Sequence, residues 1–393
     1  MKEIIYIMPQ IESFGEPIFQ MWQLKNLYQN INQFRITVIT YPLAYKPKMN
    51  TYAFKIATRG MNIVHSLDNS IVWLSSIDRL NQNIIKGADK EYVLLINDNL
   101  TYNFAKEYYH KQPNYYYTLT DSELEMGENL KKRMSIPKNA PLATLHVREP
   151  GYNLASSQYH RRRDVNIENY VPAIKWLIDN GFYVIRIGDP SMKKLVNAPY
   201  QLIDAPFNTN YTNFTDPYFI AVSNLFICCN SGAGAFGFSF GTPMLYLNQL
   251  PWVQSWSNDN TLFVFKKIYS NQLKRNLTYE ELLLSPYGDC YDSDSFTESK
   301  IQHIENTPEE ILLAAKEMVQ RLNGSYRETE NINTRVQKIH EKAHHFRRYL
   351  APVKNPYAPC LPLHATNAKI SHEFIKLNPD FLGHDWSDLK VGV

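Results

Sequence analysis

The chain contains 393 residues, 44% of them hydrophobic and 20% charged, and it carries a formal net charge of +3. This length predicts two or three domains, each able to bury its own core. The small net charge argues against a general nucleic-acid-binding protein. No apolar stretch approaches the roughly 18 residues of a membrane span, and residues 1–20 lack the pattern of a signal peptide. We therefore expect a cytoplasmic protein.

The four cysteines indicate the same compartment. Cys228 and Cys229 lie together in an apolar segment, whereas Cys290 and Cys360 are isolated, and no two of the four show CxxC spacing. Adjacent thiols in an apolar strand are most simply explained as core packing. A reducing cytoplasm fits this pattern.

Strand and helix patterns alternate in the first part of the chain. Residues 3–9 form a short apolar run that ends at a proline, as expected of a buried parallel strand. A predicted turn over 12–17 precedes an amphipathic helix over 18–28. Further strands are predicted at 35–40 and 92–97. This order indicates a parallel α/β sheet.

The pattern restarts after a Pro-Lys-Asn-Ala-Pro turn at 137–141. The predicted strands that follow are 142–147, 182–187, 202–203, 225–229 and 243–247, and the predicted helices are 167–180, 217–223 and 234–240. This is a doubly wound unit, in which ligands bind at the carboxyl ends of the strands. We therefore predict two α/β domains, 1–138 and 139–325, and a C-terminal segment, 326–393.

Two polar helices, 308–323 and 325–349, are predicted before an irregular tail. The first opens with Thr307-Pro308-Glu309-Glu310, a capping pattern with proline in the first turn. The basic stretch 338–348 leaves two interpretations open. It is either a solvated helix face or a peripheral contact with the anionic inner face of a membrane.

Two basic side chains alternate at the end of the strand 142–147. His146 and Arg148 share one face of that strand, because successive strand residues point to opposite faces. The planar guanidinium of arginine matches the geometry of phosphate oxygens. We therefore predict that both residues bind a substrate phosphate. A structural ion pair between Arg148 and a carboxylate is the alternative.

A basic loop precedes the helix 167–180. Its sequence over 160–166 is His-Arg-Arg-Arg-Asp-Val-Asn, and we predict that Arg163 helps to neutralise a diphosphate. Asn166 is predicted to cap the helix. Asp164 has two interpretations, a functional carboxylate and the ion-pair partner of a neighbouring arginine.

Two further strand ends complete the predicted site. One follows the strand 182–187 and the other follows 225–229 and begins a helix, where backbone amides bind anions. The substrate-binding residues predicted there are Arg186, Gly188, Asp189, Asn230, Ser231 and Gly232. A tight strand–helix turn that requires glycine is the alternative for the second strand end.

These segments together carry a resemblance to a known family. The matching motifs are His-Val-Arg-Glu-Pro-Gly-Tyr at 146–152, Arg-Arg-Asp-Val-Asn at 162–166, Arg-Ile-Gly-Asp-Pro at 186–190, Asn-Ser-Gly at 230–232 and the ending 370–382. With them the chain resembles bacterial surface-polysaccharide glycosyltransferases of the GT-B type. The His-x-Arg element is more distantly similar to the fucosyltransferase superfamily, in which the matching arginine contacts the donor diphosphate.

The resemblance implies a GT-B fold, two Rossmann-like domains that face each other across a cleft. Domain 1–138 would hold the acceptor and domain 139–325 the nucleotide sugar, with the segment 326–393 packed back on the first domain. The implied activity is transfer of a hexosyl or deoxyhexosyl group to a glycan, a lipid-linked acceptor or a protein.

Such a transfer requires stabilisation of the leaving nucleoside diphosphate. The Asp-x-Asp motif at 292–294 lies in a polar loop and not at a strand end, so we expect no metal and no cofactor. The expected cations are then Arg148, Arg163 and Arg186. If the reaction inverts the anomeric centre, a general base is needed, and the candidates in order are Asp164, Glu149 and Glu16.

Two other functions remain open on the sequence alone. A nucleotide-sugar epimerase or hydrolase has the same fold, and fold alone does not decide function. A non-catalytic partner in a glycan-assembly complex is the second alternative. Several arginines gathered at strand ends argue against it, since buried cations are costly without an anion to meet.

Overall fold

The computed structural model describes fourteen segments of the chain. They are residues 2–8, 15–28, 34–42, 49–68, 83–88, 90–108, 113–150, 161–195, 199, 201–250, 256–285, 300–328, 330–350 and 367–383. Within them, the chain forms one mainly parallel sheet, one fully parallel sheet and one small antiparallel sheet.

The first half of the molecule is built on a five-stranded sheet with the order β3-β2-β1-β5-β4. Its strands are β1 (Lys2–Met8), β2 (Phe34–Thr40), β3 (Asn62–His65), β4 (Asn83–Lys86) and β5 (Glu91–Leu95), and its helices are α1 (Gly15–Leu27), α2 (Thr51–Ala57) and α3 (Asn97–Glu107). Only β4 runs antiparallel to its neighbour among these strands. The predicted parallel α/β sheet is confirmed.

One boundary in the first half differs from the prediction. The sequence predicts a turn over 12–17, but α1 already begins at Gly15 and contains Pro17 in its first turn. Proline is tolerated there because the amide it lacks has no partner within the helix. As a result, Glu16 lies at the start of a helix that follows β1.

The second half is built on a seven-stranded parallel sheet with the order β15-β11-β10-β9-β6-β7-β8. Its strands are β6 (Leu142–His146), β7 (Tyr183–Arg186), β8 (Ile203–Asp204), β9 (Leu225–Cys228), β10 (Met244–Gln249), β11 (Thr261–Phe265) and β15 (Lys369–Ile370). Strands β9, β10 and β11 are buried along their whole length, as expected for a sheet covered on both faces. The buried free thiols of Cys228 and Cys229 confirm their predicted packing role.

Helices precede and follow the strands of this sheet along the chain. They are α4 (Asp121–Arg133), a 3₁₀ helix (Ile167–Tyr170), α5 (Val171–Asp179), α6 (Thr215–Val222), α7 (Gly232–Phe240), α8 (Tyr279–Leu283), α9 (Pro308–Leu322), α10 (Glu330–Leu350) and α11 (His372–Leu377). Asn166 caps the 3₁₀ helix and Thr307 caps α9, as predicted. Gly241 ends α7 with a φ of 71°, a conformation that glycine adopts without steric cost.

The small antiparallel sheet follows β11 directly. It contains β12 (Lys267–Ser270), β13 (Arg275–Asn276) and β14 (Ile301–Ile304) in the order β13-β12-β14. The sequence patterns do not predict these strands, because each is short and two of them carry exposed polar residues.

The described part of the tail contacts the second half of the molecule. Strand β15 pairs with β11, and the buried carboxylate of Glu317 in α9 accepts hydrogen bonds from Ser371 Oγ at 2.6 Å and from the His372 amide at 3.1 Å. Residues 351–366 and 384–393 lie outside the described residues. Packing of the segment 326–393 on the first half therefore stays a prediction.

The two halves are joined through α1 and α7. Aromatic side chains of both helices meet edge to face there, with the rings of Phe19 and Trp22 each 5.4 Å from the ring of Phe238. At the start of the helices the backbones nearly touch, because a Cβ on Gly15 would lie 2.2 Å from the Cα of Gly232. Since α1 follows β1 and α7 follows β9, the carboxyl ends of these strands face each other across the cleft.

We expect Gly15→Ala to weaken the packing of α1 against α7 and so to destabilise the protein. An added Cβ meets backbone atoms of Gly232, which cannot rotate away, and such overpacking costs about 1–3 kcal/mol. Thermal unfolding of the variant should show a lower Tm. Gly87→Ala is the control, because its new Cβ meets chiefly the movable Tyr92 side chain, at 2.9 Å. Equal Tm values for the two variants would contradict close packing of α1 on α7.

Candidate functional site

Hydrogen bonds tie together the carboxyl ends of three adjacent strands, β9, β6 and β7. The Arg148 amide donates to Cys229 Sγ at 3.0 Å, which links β6 to β9. The His146 ring lies 3.3 Å from the Ile187 carbonyl oxygen, which links β6 to β7. The Val165 amide donates to the Arg148 carbonyl at 3.0 Å and brings the basic loop to the same place. The predicted strand-end residues of the second half therefore lie along one edge of the sheet.

His146 is a neutral ring in this site. Burial lowers its pKa to about 4, and the nearby charges of Arg148 and Arg186 act in the same direction. Since a carbonyl oxygen only accepts, Nδ1 carries the proton that is donated to Ile187, and Nε2 keeps its lone pair. His146 can therefore accept a hydrogen bond from a ligand but cannot supply a positive charge.

Arg148 forms an ion pair with Asp164. Its Nε lies 2.9 Å from Asp164 Oδ1, and both side chains are largely buried. Burial raises the pKa of Asp164, although the charges of Arg148, Lys266 and Arg163 oppose this shift. The alternative that pairs Asp164 with a neighbouring arginine is thus the arrangement observed, and the pair fixes the basic loop against β6.

Three cations surround the end of β9. Burial raises the pKa of Cys229 to about 11, and the positive charges of Lys266, Arg148 and Arg163 act against that rise. The geometry agrees, since the Arg148 amide bonds to Cys229 and Lys266 Nζ donates to the carbonyls on both sides of Arg163. Asn230, Ser231 and Gly232 come directly after this residue, at the start of α7.

The start of α7 presents backbone amides to this positive region. Asn230 is buried and donates to Gln249 Oε1 at 2.7 Å, so its side chain is committed to the protein. Ser231 stands at the N-cap position in an extended conformation, and its side chain makes no capping hydrogen bond. An anion near the Ser231 and Gly232 amides would be favoured by the helix dipole as well as by the cations.

Arg186 takes a different position from the other cations. Its guanidinium is completely buried and lies 2.5 Å from Glu149 Oε2 and 3.0 Å from Asp204 Oδ2. Burial raises the pKa of both carboxyls, and Arg186 opposes that rise. Both arginine contacts are internal, so the geometry indicates that Arg186 positions Glu149 rather than contacting a ligand.

The loop that follows β7 is held by a hydrogen bond from Tyr211. The carbonyl of Gly188 accepts a hydrogen bond from the Tyr211 hydroxyl at 2.6 Å. Burial raises the pKa of Asp216 beneath this loop to about 7, against the hydrogen bond from Tyr211. Asp189 accepts from the Ser191 amide at 2.8 Å and remains partly exposed beside the cleft. Tyr211 and Asp216 carry no local sequence signal for this supporting role.

Glu16 faces these groups from the first half. Its residue is exposed, and partial burial of the carboxyl group raises its pKa. The negative charge of Asp98 raises the pKa further, and the positive charge of Arg163 lowers it. Gln20 Nε2 donates to Glu16 Oε1 at 3.3 Å. Because Gly15 touches Gly232 at the start of α7, Glu16 lies next to the contact between the two halves.

Lys266, at the end of β11, is a site residue that the sequence prediction lacks. The signal was present, since Lys266 follows the apolar run Thr261–Phe265 as Arg148 follows β6. Asp98 is also missing from the prediction, because its proximity to Glu16 depends on the packing of α1 against α3, and so is Gln20, which lies one turn after Glu16 on α1.

The described residues contain no group of three or more His, Cys, Asp or Glu side chains arranged to hold a metal ion. The Asp-x-Asp motif at 292–294 lies outside the described residues. So do residues 151–160, which include the last two residues of the motif 146–152 and the first residue of the basic loop 160–166. Metal-independent chemistry therefore stays a prediction.

None of the helices in the described part of the chain is long and apolar enough to cross a membrane.

Similar solved structures include three bacterial glycosyltransferases. A family 9 glycosyl transferase from Veillonella parvula DSM 2008 is 11% identical over 63% of this chain and 80% of that chain, with a TM-score of 0.42. The ADP-heptose lps heptosyltransferase II of E. coli is 11% identical over 63% and 84%, with a TM-score of 0.35. The iron-containing dodecameric glycosyltransferase TibC from enterotoxigenic E. coli H10407 is 12% identical over 82% and 76%, with a TM-score of 0.38.

No protein-family model and no curated protein matches the sequence. At these identities and TM-scores the likeness to the solved structures concerns the fold alone. The strand orders of the two larger sheets are those of two Rossmann-like halves, and the fold is of the GT-B type. The similarity of His146 and Arg148 to the fucosyltransferase superfamily stays a prediction.

Proposed function

We propose that this protein is a glycosyltransferase that moves a hexosyl or deoxyhexosyl group from a nucleoside-diphosphate sugar to a hydroxyl of a glycan, lipid-linked or protein acceptor. One observation carries the proposal. Arg148 and Lys266 both bond to the basic loop that carries Arg163, next to the end of β9, and Glu16 lies at the start of α1, whose backbone touches the start of α7. Cations for a leaving diphosphate and a carboxylate for the acceptor hydroxyl are the two groups that this transfer needs.

The donor diphosphate is assigned to the second half. Arg163 and the amides of Ser231 and Gly232 bind its oxygens, and Arg148 contributes charge from its pair with Asp164. Oriented donors of this kind stabilise the charge that develops on the leaving group, with about 3–4 kcal/mol for one well-placed donor. His146 accepts a hydrogen bond from the sugar or ribose through Nε2.

The general base is assigned to Glu16, which changes the order expected from the sequence. Asp164 is held by Arg148, and Glu149 is held by the buried Arg186. Glu16 pairs with neither Arg148 nor Arg186. Its pKa is raised, which makes its carboxylate a stronger base. It also stands on the acceptor side of the cleft.

The reaction is a single displacement at the anomeric carbon. Glu16 takes the proton of the acceptor hydroxyl, the acceptor oxygen forms a bond to the anomeric carbon, and the bond to the diphosphate oxygen breaks. Both electrons of the broken bond leave with the diphosphate, whose charge is met by Arg163, Arg148 and the start of α7. Attack from the face opposite the leaving group inverts the anomeric centre.

A thermal-shift panel tests donor binding. Nucleoside diphosphates and monophosphates of uridine, guanosine, thymidine, cytidine and adenosine are compared on the wild-type protein. A ligand at about 100 times its dissociation constant stabilises the native state by roughly 2.7 kcal/mol, which gives a measurable rise in Tm. We expect a rise with the diphosphates of one base.

Variants assign the binding to the proposed cations. Arg163→Met is expected to weaken nucleoside-diphosphate binding at least about 10-fold, because a charge-assisted hydrogen bond contributes roughly 1.5–3 kcal/mol. Arg275→Met is the control, since Arg275 is half exposed and paired with Glu281 away from the cleft. Failure of every nucleotide to shift the Tm would contradict the proposal. Donor turnover without any acceptor would favour a hydrolase.

A further inference from the structure

Lys266 is a buried lysine at the edge of the proposed donor site. Its residue is 2% exposed and comes directly after β11, on the carboxyl side of the second sheet. The Lys266 amide donates to the Gln249 carbonyl at 2.7 Å, and Gln249 in turn accepts from Asn230 at the start of α7. The backbone of Lys266 is therefore tied to the same strand ends that form the site.

The ammonium group holds the basic loop in place. Nζ donates to the carbonyl oxygens of Arg162 and Asp164, each at 2.9 Å. These two contacts fix the backbone on both sides of Arg163, the cation that reaches across the cleft. The same loop is also joined to β6 by the Arg148–Asp164 ion pair.

Within the described part of the chain, the charge of Lys266 has no ion-pair partner, because no carboxylate there lies within 4.0 Å of Nζ. The carboxylate of Asp164 is directed to Arg148, and Glu305 acts on Lys266 only as a more distant charge. Burial lowers the pKa of Lys266, which shows that these carboxylates do not compensate for its desolvation. Buried charges are normally paired, so this arrangement indicates a missing anion.

The adjacent lysine shows the ordinary arrangement. Lys267 Nζ lies 2.5 Å from Glu310 Oε1 and 3.1 Å from Asn378 Oδ1. Its charge is therefore compensated inside the protein, on the side of the sheet where α9 and the tail pack. Of these two consecutive lysines, only Lys267 has an internal counter-charge among the described residues.

We propose that Lys266 is a cation of the donor site whose counter-ion is the diphosphate of the substrate, and that it also positions Arg163 through the two loop carbonyls. This inference rests on the proposed function and adds a charged residue to its donor site. The ligand chemistry is that of a pyrophosphoryl group, either free or attached to a nucleoside. A bound diphosphate would complete the charge balance around Nζ.

Three variants of the full chain separate the charge from the hydrogen bonds. Lys266→Met removes both, whereas Lys266→Gln removes the charge but keeps two N–H donors for the loop carbonyls. Lys267→Met is the matched control, since it removes a neighbouring lysine that has an internal partner. Inorganic pyrophosphate, the nucleoside diphosphates and the matching monophosphates are titrated by calorimetry, and the Tm is measured without ligand.

We expect opposite results for the two lysines. Lys266→Met and Lys266→Gln should each weaken pyrophosphate and nucleoside-diphosphate binding about 10- to 100-fold, and monophosphate binding less. The Tm of ligand-free Lys266→Met should fall only slightly, because removal of an uncompensated buried charge offsets part of the cost of leaving the carbonyls of Arg162 and Asp164 without their donor. Lys267→Met should lower the Tm and leave the binding constants unchanged.

Other outcomes overturn the inference, and they separate it from the proposed function. Unchanged pyrophosphate affinity in Lys266→Met, or full recovery of affinity in Lys266→Gln, would show that the charge has no part in binding. Nucleotide binding that persists in both variants would leave the glycosyltransferase proposal intact. Wild-type protein that binds pyrophosphate but no nucleotide would refute the donor proposal, while loss of that binding in the variants would still support Lys266.

Discussion

Replacing Glu16 with Gln is expected to lower kcat by about 10²- to 10⁴-fold while donor affinity stays within about two-fold, because loss of a general base removes only transition-state stabilisation. The amide keeps the size of the carboxylate and its contact with Gln20, but it cannot take a proton. Release of nucleoside diphosphate from the donor found in the thermal-shift panel gives kcat, and calorimetry gives donor affinity. The loss should appear only in kcat.

The control for this experiment is Glu309→Gln. Glu309, like Glu16, lies in the first turn of a helix, but it is exposed on α9 and belongs to the second half of the molecule. We expect wild-type rates for this control. A normal kcat for Glu16→Gln, or an equal loss in Glu309→Gln, would remove Glu16 from the chemistry.

The pH dependence of the reaction provides a second test of Glu16. A base must be deprotonated to act, so activity rises with pH through the pKa of Glu16, which burial and Asp98 raise above its usual range. Arg163 lowers that pKa, and so Arg163→Met should move the rising limb of kcat to higher pH. A limb that stays in place would show that Arg163 and Glu16 do not share the cleft.

Arg186→Met is expected to lower the free energy of unfolding by about 3–5 kcal/mol, because it leaves two largely buried carboxylates without their cation. Urea denaturation measures this change. The loss should be smaller at low pH. Glu149 and Asp204 already have raised pKa values in the folded protein, and without Arg186 these values rise further. The folded state then binds more protons than the unfolded state, so stability falls as pH increases.

Lys193→Met is the control for Arg186. Lys193 pairs with Glu168 at 3.4 Å on the surface, where its side chain is 59% exposed. Such pairs contribute little, and we expect a change below about 0.5 kcal/mol at any pH. A similar small change for Arg186→Met would mean that the buried ion pairs with Glu149 and Asp204 do not contribute to stability, and would reopen a direct role for Arg186 at the diphosphate.

The three strand-end segments were the most predictable part of the site. Apolar runs located β6, β7 and β9, and each run ended at the polar residues that the structure places at one edge of the sheet. Helix caps at Asn166 and Thr307 were also predictable, because a cap depends on residues within three positions of each other. The short strands β12–β14 and the early start of α1 were not, since no local period marks them.

Local sequence patterns did not predict the roles of the individual charged residues. As cations near strand ends, the three arginines 148, 163 and 186 look alike, yet Arg186 is buried between two carboxylates, whereas Arg163 acts across the cleft. Likewise, distance along the chain from the predicted diphosphate favours Asp164 first and Glu16 last as the base. The ion pairs that hold Asp164 and Glu149 reverse this order.

The alternation of buried strands and capped helices, and hence the two Rossmann-like halves, followed from residues close together in the chain. Hydrophobic periodicity and helix capping are both local properties of the sequence. The contact of Gly15 with Gly232, the pairing of β15 with β11 and the placement of the Lys266 ammonium against the basic loop join residues far apart in the chain. A charge is paired or unpaired according to distances of a few ångströms, and packing of the whole molecule sets those distances.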